Sequence, residues 1–156
     1  MPTVLPSEIA WPVLGRGTRA APTRTLQHLL SAHGYAVAVD GDFGVSTESS
    51  VRAFQADHRL TVDGRAGPET WRGLIITVKR NSRGDAVRGV QQEAVNRDGS
   101  DVPSLVIDGD FGPRTEQFVR GYQAALRESF PHEGVAVDGV VGPLTWKALV
   151  SGFLHL

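Results

Sequence analysis

Acidic side chains set in tight turns are the first candidates for chemistry in this sequence. Asp40, Asp42 and Gly44 form an Asp-x-Asp-x-Gly run, and Asp108, Asp110 and Gly112 repeat it. Alternating carboxylates open calcium-binding loops, but such a loop needs a further ligand at its fifth position and an acid at its twelfth. Those positions hold Gly44 and Val51. The acids are better read as turn formers whose carboxylates accept from nearby backbone N–H groups. A second chemistry, glycoside hydrolysis by paired carboxylates, has candidates in Asp42, Glu48 and Asp63. These lie at turns or helix starts, where acids are expected on structural grounds. They also recur as Asp110, Glu116 and Asp138. A duplicated active site without a pocket-forming scaffold is implausible, so no catalytic residue is assigned and the chain is not read as an enzyme.

The remaining reactive groups narrow the options further. The sequence has no Cys, which removes thiol nucleophiles, disulfides and Cys-ligated metals. Its His residues are His28, His33, His58, His132 and His155, and none pairs at the His-x-x-x-His spacing of a helical zinc site. No metal and no cofactor are therefore expected. The 16 basic and 17 acidic residues leave a formal net charge of -1. Neither half is strongly basic, so nucleic acid is not an expected partner. No apolar run approaches a membrane span, and residues 1–8 do not read as a secretory leader.

The elements that must position these residues are repeated. Asp40-Gly41-Asp42-Phe43-Gly44 returns as Asp108-Gly109-Asp110-Phe111-Gly112. Thr47-Glu48 returns as Thr115-Glu116, and Phe54-Gln55 as Tyr122-Gln123. Val62-Asp63-Gly64 matches Val137-Asp138-Gly139, and Gly67-Pro68-x-Thr70-Trp71 matches Gly142-Pro143-x-Thr145-Trp146. Upstream, Leu26-Gln27 matches Val90-Gln91. The offset grows from 64 to 68 to 75. The second copy thus carries insertions within 92–107 and 124–136, where connections tolerate them.

Each copy reads as three short helices. Leu26, Leu29 and Leu30 make a helical stripe that starts near Pro22 and stops at Gly34. Thr47, Val51, Phe54 and His58 line one face of a second helix, with His58 placed inward as a packing residue. Gly67-Pro68-Glu69-Thr70 opens a third, with Trp71 and Leu74 facing in. Trp71 and Trp146 are assigned to the core rather than to ring stacking on a ligand. The expected fold is all-α, two three-helix modules in tandem, with residues 1–76 in the first and 77–156 in the second. Modules this small are marginal alone, so they are expected to pack together or to share the segment around Ile75 to Val78.

This ordered pattern resembles the peptidoglycan-binding domain family, three-helix modules carried by bacterial wall hydrolases and phage endolysins. The resemblance rests on Leu26-Gln27, Asp40 to Thr47, Val51 to Gln55 and Asp63 to Leu74. In the second copy it rests on Val90-Gln91, Asp108 to Thr115, Val119 to Gln123 and Asp138 to Leu149. It implies non-catalytic binding of wall glycan or stem peptide, with a separate wall hydrolase as a further candidate partner. It also implies a cell-wall or extracellular location, while the absent leader keeps a cytoplasmic or phage-associated one open. A wall ligand offers hydroxyls, N-acetyl groups and carboxylates, which call for acceptors, backbone donors and Arg. The candidate binding residues are therefore Asp42, Phe43, Gly44 and Arg52 in the first copy, with Asp110, Phe111, Gly112, Arg114 and Arg120 in the second. The competing readings are a protein-interaction module reusing the fold and, further off, a cryptic wall hydrolase.

Overall fold

Proline and glycine placement dictates where the helices begin. In the computed structural model, which describes residues 9–97 and 105–154, α1 spans Pro22–Ala32, α2 Val45–Asp57, α3 Pro68–Leu74, α4 Asp85–Asn96, α5 Pro113–Ser129 and α6 Pro143–Ser151. Pro opens α1, α3, α5 and α6, where its fixed φ suits the first turn and its missing N–H costs nothing. Before α2, α3, α5 and α6 an extended Gly serves as N-cap without a side-chain bond. Among the described residues the only strand-like pairing is isolated bridges, Leu14 with Ala66, Val78 with Val141 and Arg83 with Asp110. The chain is all-helical, as the spacing predicts.

The insertions are only partly in connections. The first falls within 92–107, a stretch of which residues 98–104 lie outside the described residues. The second lengthens a helix, since α5 has 17 residues against 13 in α2. His58 also departs from expectation. It lies just beyond α2 as C-cap and is exposed, with its ring stacked on Phe54 at 4.0 Å between centroids. It covers the core edge rather than filling it.

The modules pack through α1 and α4, which run antiparallel and make the most extensive helix pairing in the molecule. Thr25 Oγ1 donates to Glu93 Oε2 at 2.5 Å, and Asn96 Nδ2 donates to Ala21 O at 3.3 Å. His28 Nε2 donates to Gln92 Oε1 at 3.2 Å. His28 and Gln92 occupy the same position of the two repeats, so a pseudo-two-fold axis passes between them, as in an isologous dimer. Gly89 makes the close approach feasible. A Cβ there would lie 3.2 Å from Trp146 and 3.6 Å from Thr25. The result is one continuous core that includes Leu26, Leu29, Phe54 and Trp71 from one module and Val87, Val90, Tyr122 and Trp146 from the other. Sharing a core resolves the difficulty of stabilising two bundles of this size.

Behind that interface lies a buried ion pair. Arg97 Nη1 meets Glu93 Oε1 at 2.8 Å, with side chains 6% and 3% exposed. Arg97 Nη2 also donates to Leu149 O and Phe153 O at 2.8 and 3.0 Å, tying the end of α6 to α4. Its guanidinium sits 5.0 Å from the Tyr122 ring centroid.

Candidate functional site

Each turn that leads into α2, α3, α5 or α6 is built by the same device. Gln27, Gln55, Gln91 and Gln123 are buried side chains. Gln27 Nε2 donates to Asp40 Oδ1, Asp42 O and Thr47 Oγ1 at 2.9, 3.1 and 3.1 Å, while its Oε1 accepts from Asp40 N and Gly41 N. Gln55 repeats this with Asp63, Arg65, Thr70 and Gly64 N. Gln91 does so with Asp108, Asp110, Thr115 and Gly109 N. Gln123 uses Asp138, Val140, Thr145 and Gly139 N. The Asp carboxylate in turn accepts from the N–H two residues on. These N–H groups of Asp42, Arg65 and Asp110, helped by the Gln amides, hold Asp40, Asp63 and Asp108 below the ordinary carboxylate range.

An arginine completes the device. Arg24, Arg52, Arg88 and Arg120 precede these Gln residues by three positions, one helical turn. Each lies over the positive-φ Gly of its turn, at Gly41, Gly64, Gly109 and Gly139, where a Cβ would come within 2.9–3.2 Å of the guanidinium. Arg24 and Arg120 also donate to Val39 O and Val137 O, each at 3.2 Å. The unit Arg-x-x-Gln followed by Asp-Gly-x-x-Gly-x-x-Thr therefore occurs four times, twice per module. Comparing the two long repeats conceals this shorter one. The invariant seven-residue step from Asp to Thr is the signal that reveals it.

The residue three after each Asp, Phe43, Ala66, Phe111 or Val141, is buried. There it pairs with the segment leading into its module. Phe43 exchanges backbone bonds with Gly17 and Thr18, and Ala66 with Leu14. Phe111 and Val141 do so with Asn81, Ser82 and Val78. Each lead-in thus runs across both turns of its module. It is anchored by the indole N–H of Trp71 to Pro12 O at 2.8 Å, and by that of Trp146 to Ile76 O at 2.9 Å.

Between lead-in, α2 and the second turn of the first module lies an open cleft of about 460 Å³. Gly15, Arg16, Thr18, Glu48, Asp63 and Arg65 line it. Arg16 meets Glu48 at 3.4 Å across its wall, a pair the second module repeats as Arg80 and Glu116 at 3.2 Å. Among the described residues, no three His, Asp or Glu side chains converge as metal ligands.

The family model described as "Putative peptidoglycan binding domain" matches residues 19–74 and again 83–149. The chain belongs to this family. Among curated relatives, the zinc D-Ala-D-Ala carboxypeptidase of Streptomyces albus G is 32% identical over 131 residues, 84% of this chain and 45% of that protein. The chain thus spans less than half the length of that enzyme. An uncharacterised protein in the bpoA1 3′ region of Kitasatospora aureofaciens is 32% identical, over 77% of this chain and 88% of that one. Among solved structures, a Burkholderia AP3 phage endolysin is similar at 25% identity, with 93% of this chain and 65% of that one covered and a TM-score of 0.41.

Membership of the peptidoglycan-binding family does not give every residue singled out in the sequence a ligand to hold. Phe43 and Phe111 are 1% and 2% exposed. Their rings anchor the turns in the core, with almost no surface left open to a ligand. Arg52 and Arg120 clamp Gly64 and Gly139, and Arg120 also meets Glu116 at 3.8 Å. Gly44 and Gly112 are N-caps of α2 and α5. Asp42 and Asp110 are exposed and face the lead-ins, paired with Arg19 at 2.9 Å and Arg83 at 3.2 Å. Arg114 lies exposed in the first turn of α5. The structure does not gather these residues into one pocket; of the earlier candidates, Glu48 and Asp63 line the cleft. Sequence reasoning passed over Arg16 and Arg65, which become visible only when the lead-in is placed across the turns.

Proposed function

We propose that this chain binds bacterial peptidoglycan through its two modules and does not cleave it. The observation that carries the reading is the doubled peptidoglycan-binding family module over most of the chain. The acids once considered for hydrolysis have structural work. Asp63 locks a turn, and Glu48 pairs with Arg16. The shared core holds the two modules in one body. Two weak sites fixed in this way on a repeating polymer gain from effective concentration. The cell wall is the proposed location, with a separate hydrolase as a partner the bound protein would bring to its substrate.

A sedimentation assay with purified insoluble peptidoglycan tests this. The protein is expected in the pellet at low and moderate salt, and its recovery in the supernatant under both conditions removes the reading. The non-catalytic part is checked by release of soluble muropeptides from the same pellet, which should stay at the level of a protein-free control.

A further inference from the structure

In the fourfold unit, Arg, Gln, Asp, both Gly and Thr are all committed to building the turn. The residue two after the Asp is free to vary and points outward. It is Asp42, Arg65, Asp110 and Val140 in the four turns, with the first three exposed. Asp42 and Asp110 are neutralised by Arg19 and Arg83 of the lead-in. Arg65 is different. Its guanidinium has no hydrogen-bond or ion-pair partner among the described residues, and its stem lies along Gly15, 3.4 Å from where a Cβ would be. It therefore projects a planar cation with open hydrogen-bond donors into the cleft beside Arg16, Thr18 and Glu48, where its charge also favours the neighbouring Asp63 carboxylate.

The cleft carries two guanidiniums and two carboxylates, with no aromatic side chain in its lining. The largest aromatic surfaces, Trp71 and Trp146, are fully buried. A sugar ring would find no platform here. A polyanion would find no net positive field. What fits is a short zwitterionic peptide, its carboxylate on the Arg65 fork and its ammonium towards Glu48. The second module keeps the Arg and Glu as Arg80 and Glu116 but has Val140 for Arg65 and Lys79 for Gly15. It lacks the fork and the bare backbone facing it.

We infer that the first module's cleft binds the free carboxylate end of a stem peptide through Arg65, and that the second module does not share this specificity. The inference rests on the wall-binding reading and assigns the recognised part of the wall. Its test uses the full chain and calorimetric titration with a soluble stem tetrapeptide, its C-terminal amide and an N-acetylglucosamine tetramer, alongside pelleting with whole peptidoglycan. The free acid is expected to bind, and the amide and the sugar to bind at least roughly tenfold more weakly. Arg65→Val, the residue the second module uses at this exposed place, should lose the free acid by a similar factor. Arg65→Lys should recover part of it, and Lys79→Ala should leave it unchanged. Equal binding of acid and amide, full affinity in Arg65→Val, or preferential binding of the sugar overturns the inference. Pelleting without peptide binding overturns it while leaving wall binding intact; failure of both removes both.

Discussion

Replacing Gln27 with leucine keeps the volume of a fully buried side chain and deletes every polar contact it makes. Three acceptors lose a donor, at Asp40, Asp42 and Thr47, and the N–H groups of Asp40 and Gly41 lose their acceptor. The acceptors are near solvent or can turn to other donors. The two N–H groups are the costly loss, because an unsatisfied backbone donor costs about 1–3 kcal/mol. Taking the lower half of that range for a part-buried turn gives about 3 kcal/mol in total. With a urea m-value of about 2 kcal/mol/M for a chain of this size, the midpoint should fall by about 1.5 M. The slope itself should not change, because the same surface is exposed on unfolding. Gln27→Glu separates the two halves of the side chain. It keeps an acceptor for the N–H groups but sets a second carboxylate where Nε2 now lies 2.9 Å from Asp40. It should be as damaging as leucine at neutral pH and recover as either acid is protonated. A midpoint shift below about 0.5 M for Gln27→Leu would refute the reasoning. The turn would then be held by Phe43 burial and the lead-in bridge alone.

Three other outcomes follow from the same contacts. Arg97→Met should destabilise by about 3–5 kcal/mol in urea unfolding, because it breaks the buried pair with Glu93 and takes the donor from Leu149 O and Phe153 O; a change under about 1 kcal/mol would refute this reading of Arg97. Gly64→Ala should destabilise by about 1–3 kcal/mol, since the turn needs φ +75° and a Cβ would lie 2.9 Å from Arg52 Nε, and thermal unfolding reads this directly. Acid should weaken the fold in two steps. Burial between the modules lowers the pKa of His28, so its contribution is present above the ordinary 6.5 and is lost as pH falls through the lowered value. Backbone N–H donors lower Asp40, Asp63 and Asp108, so their contribution holds above the ordinary 3.8 and is lost below it. A pH series of midpoints checks both steps, and His28→Gln should remove the first alone.

Local rules carried most of the secondary structure. Pro22, Pro68, Pro113 and Pro143 mark helix starts because a fixed φ and a missing N–H act within one turn. The stripes at Leu26, Val51, Phe54 and Trp71 mark the core faces for the same short-range reason, and all four are buried. His58 fell outside this rule because α2 ends before it, so helical spacing no longer fixes its direction.

The sequence by itself determined the doubled module, its all-helical character and its family, since repetition and periodicity are properties of the chain. The tertiary structure decided what each polar residue is for. Asp, Arg and Gln look alike in a sequence whether they bind a ligand or hold a turn. The difference is whether the side chain's hydrogen bonds are already satisfied from within. Gln27 and Asp40 find their partners across a turn and are spent on it, while Arg120 clamps Gly139 and pairs with Glu116. Arg65 finds no such partner among the described residues, and only the lead-in laid across the turns brings it beside Arg16 and Glu48, residues far from it in the chain. Long-range placement of this kind depends on the packing of whole elements, which no local spacing encodes.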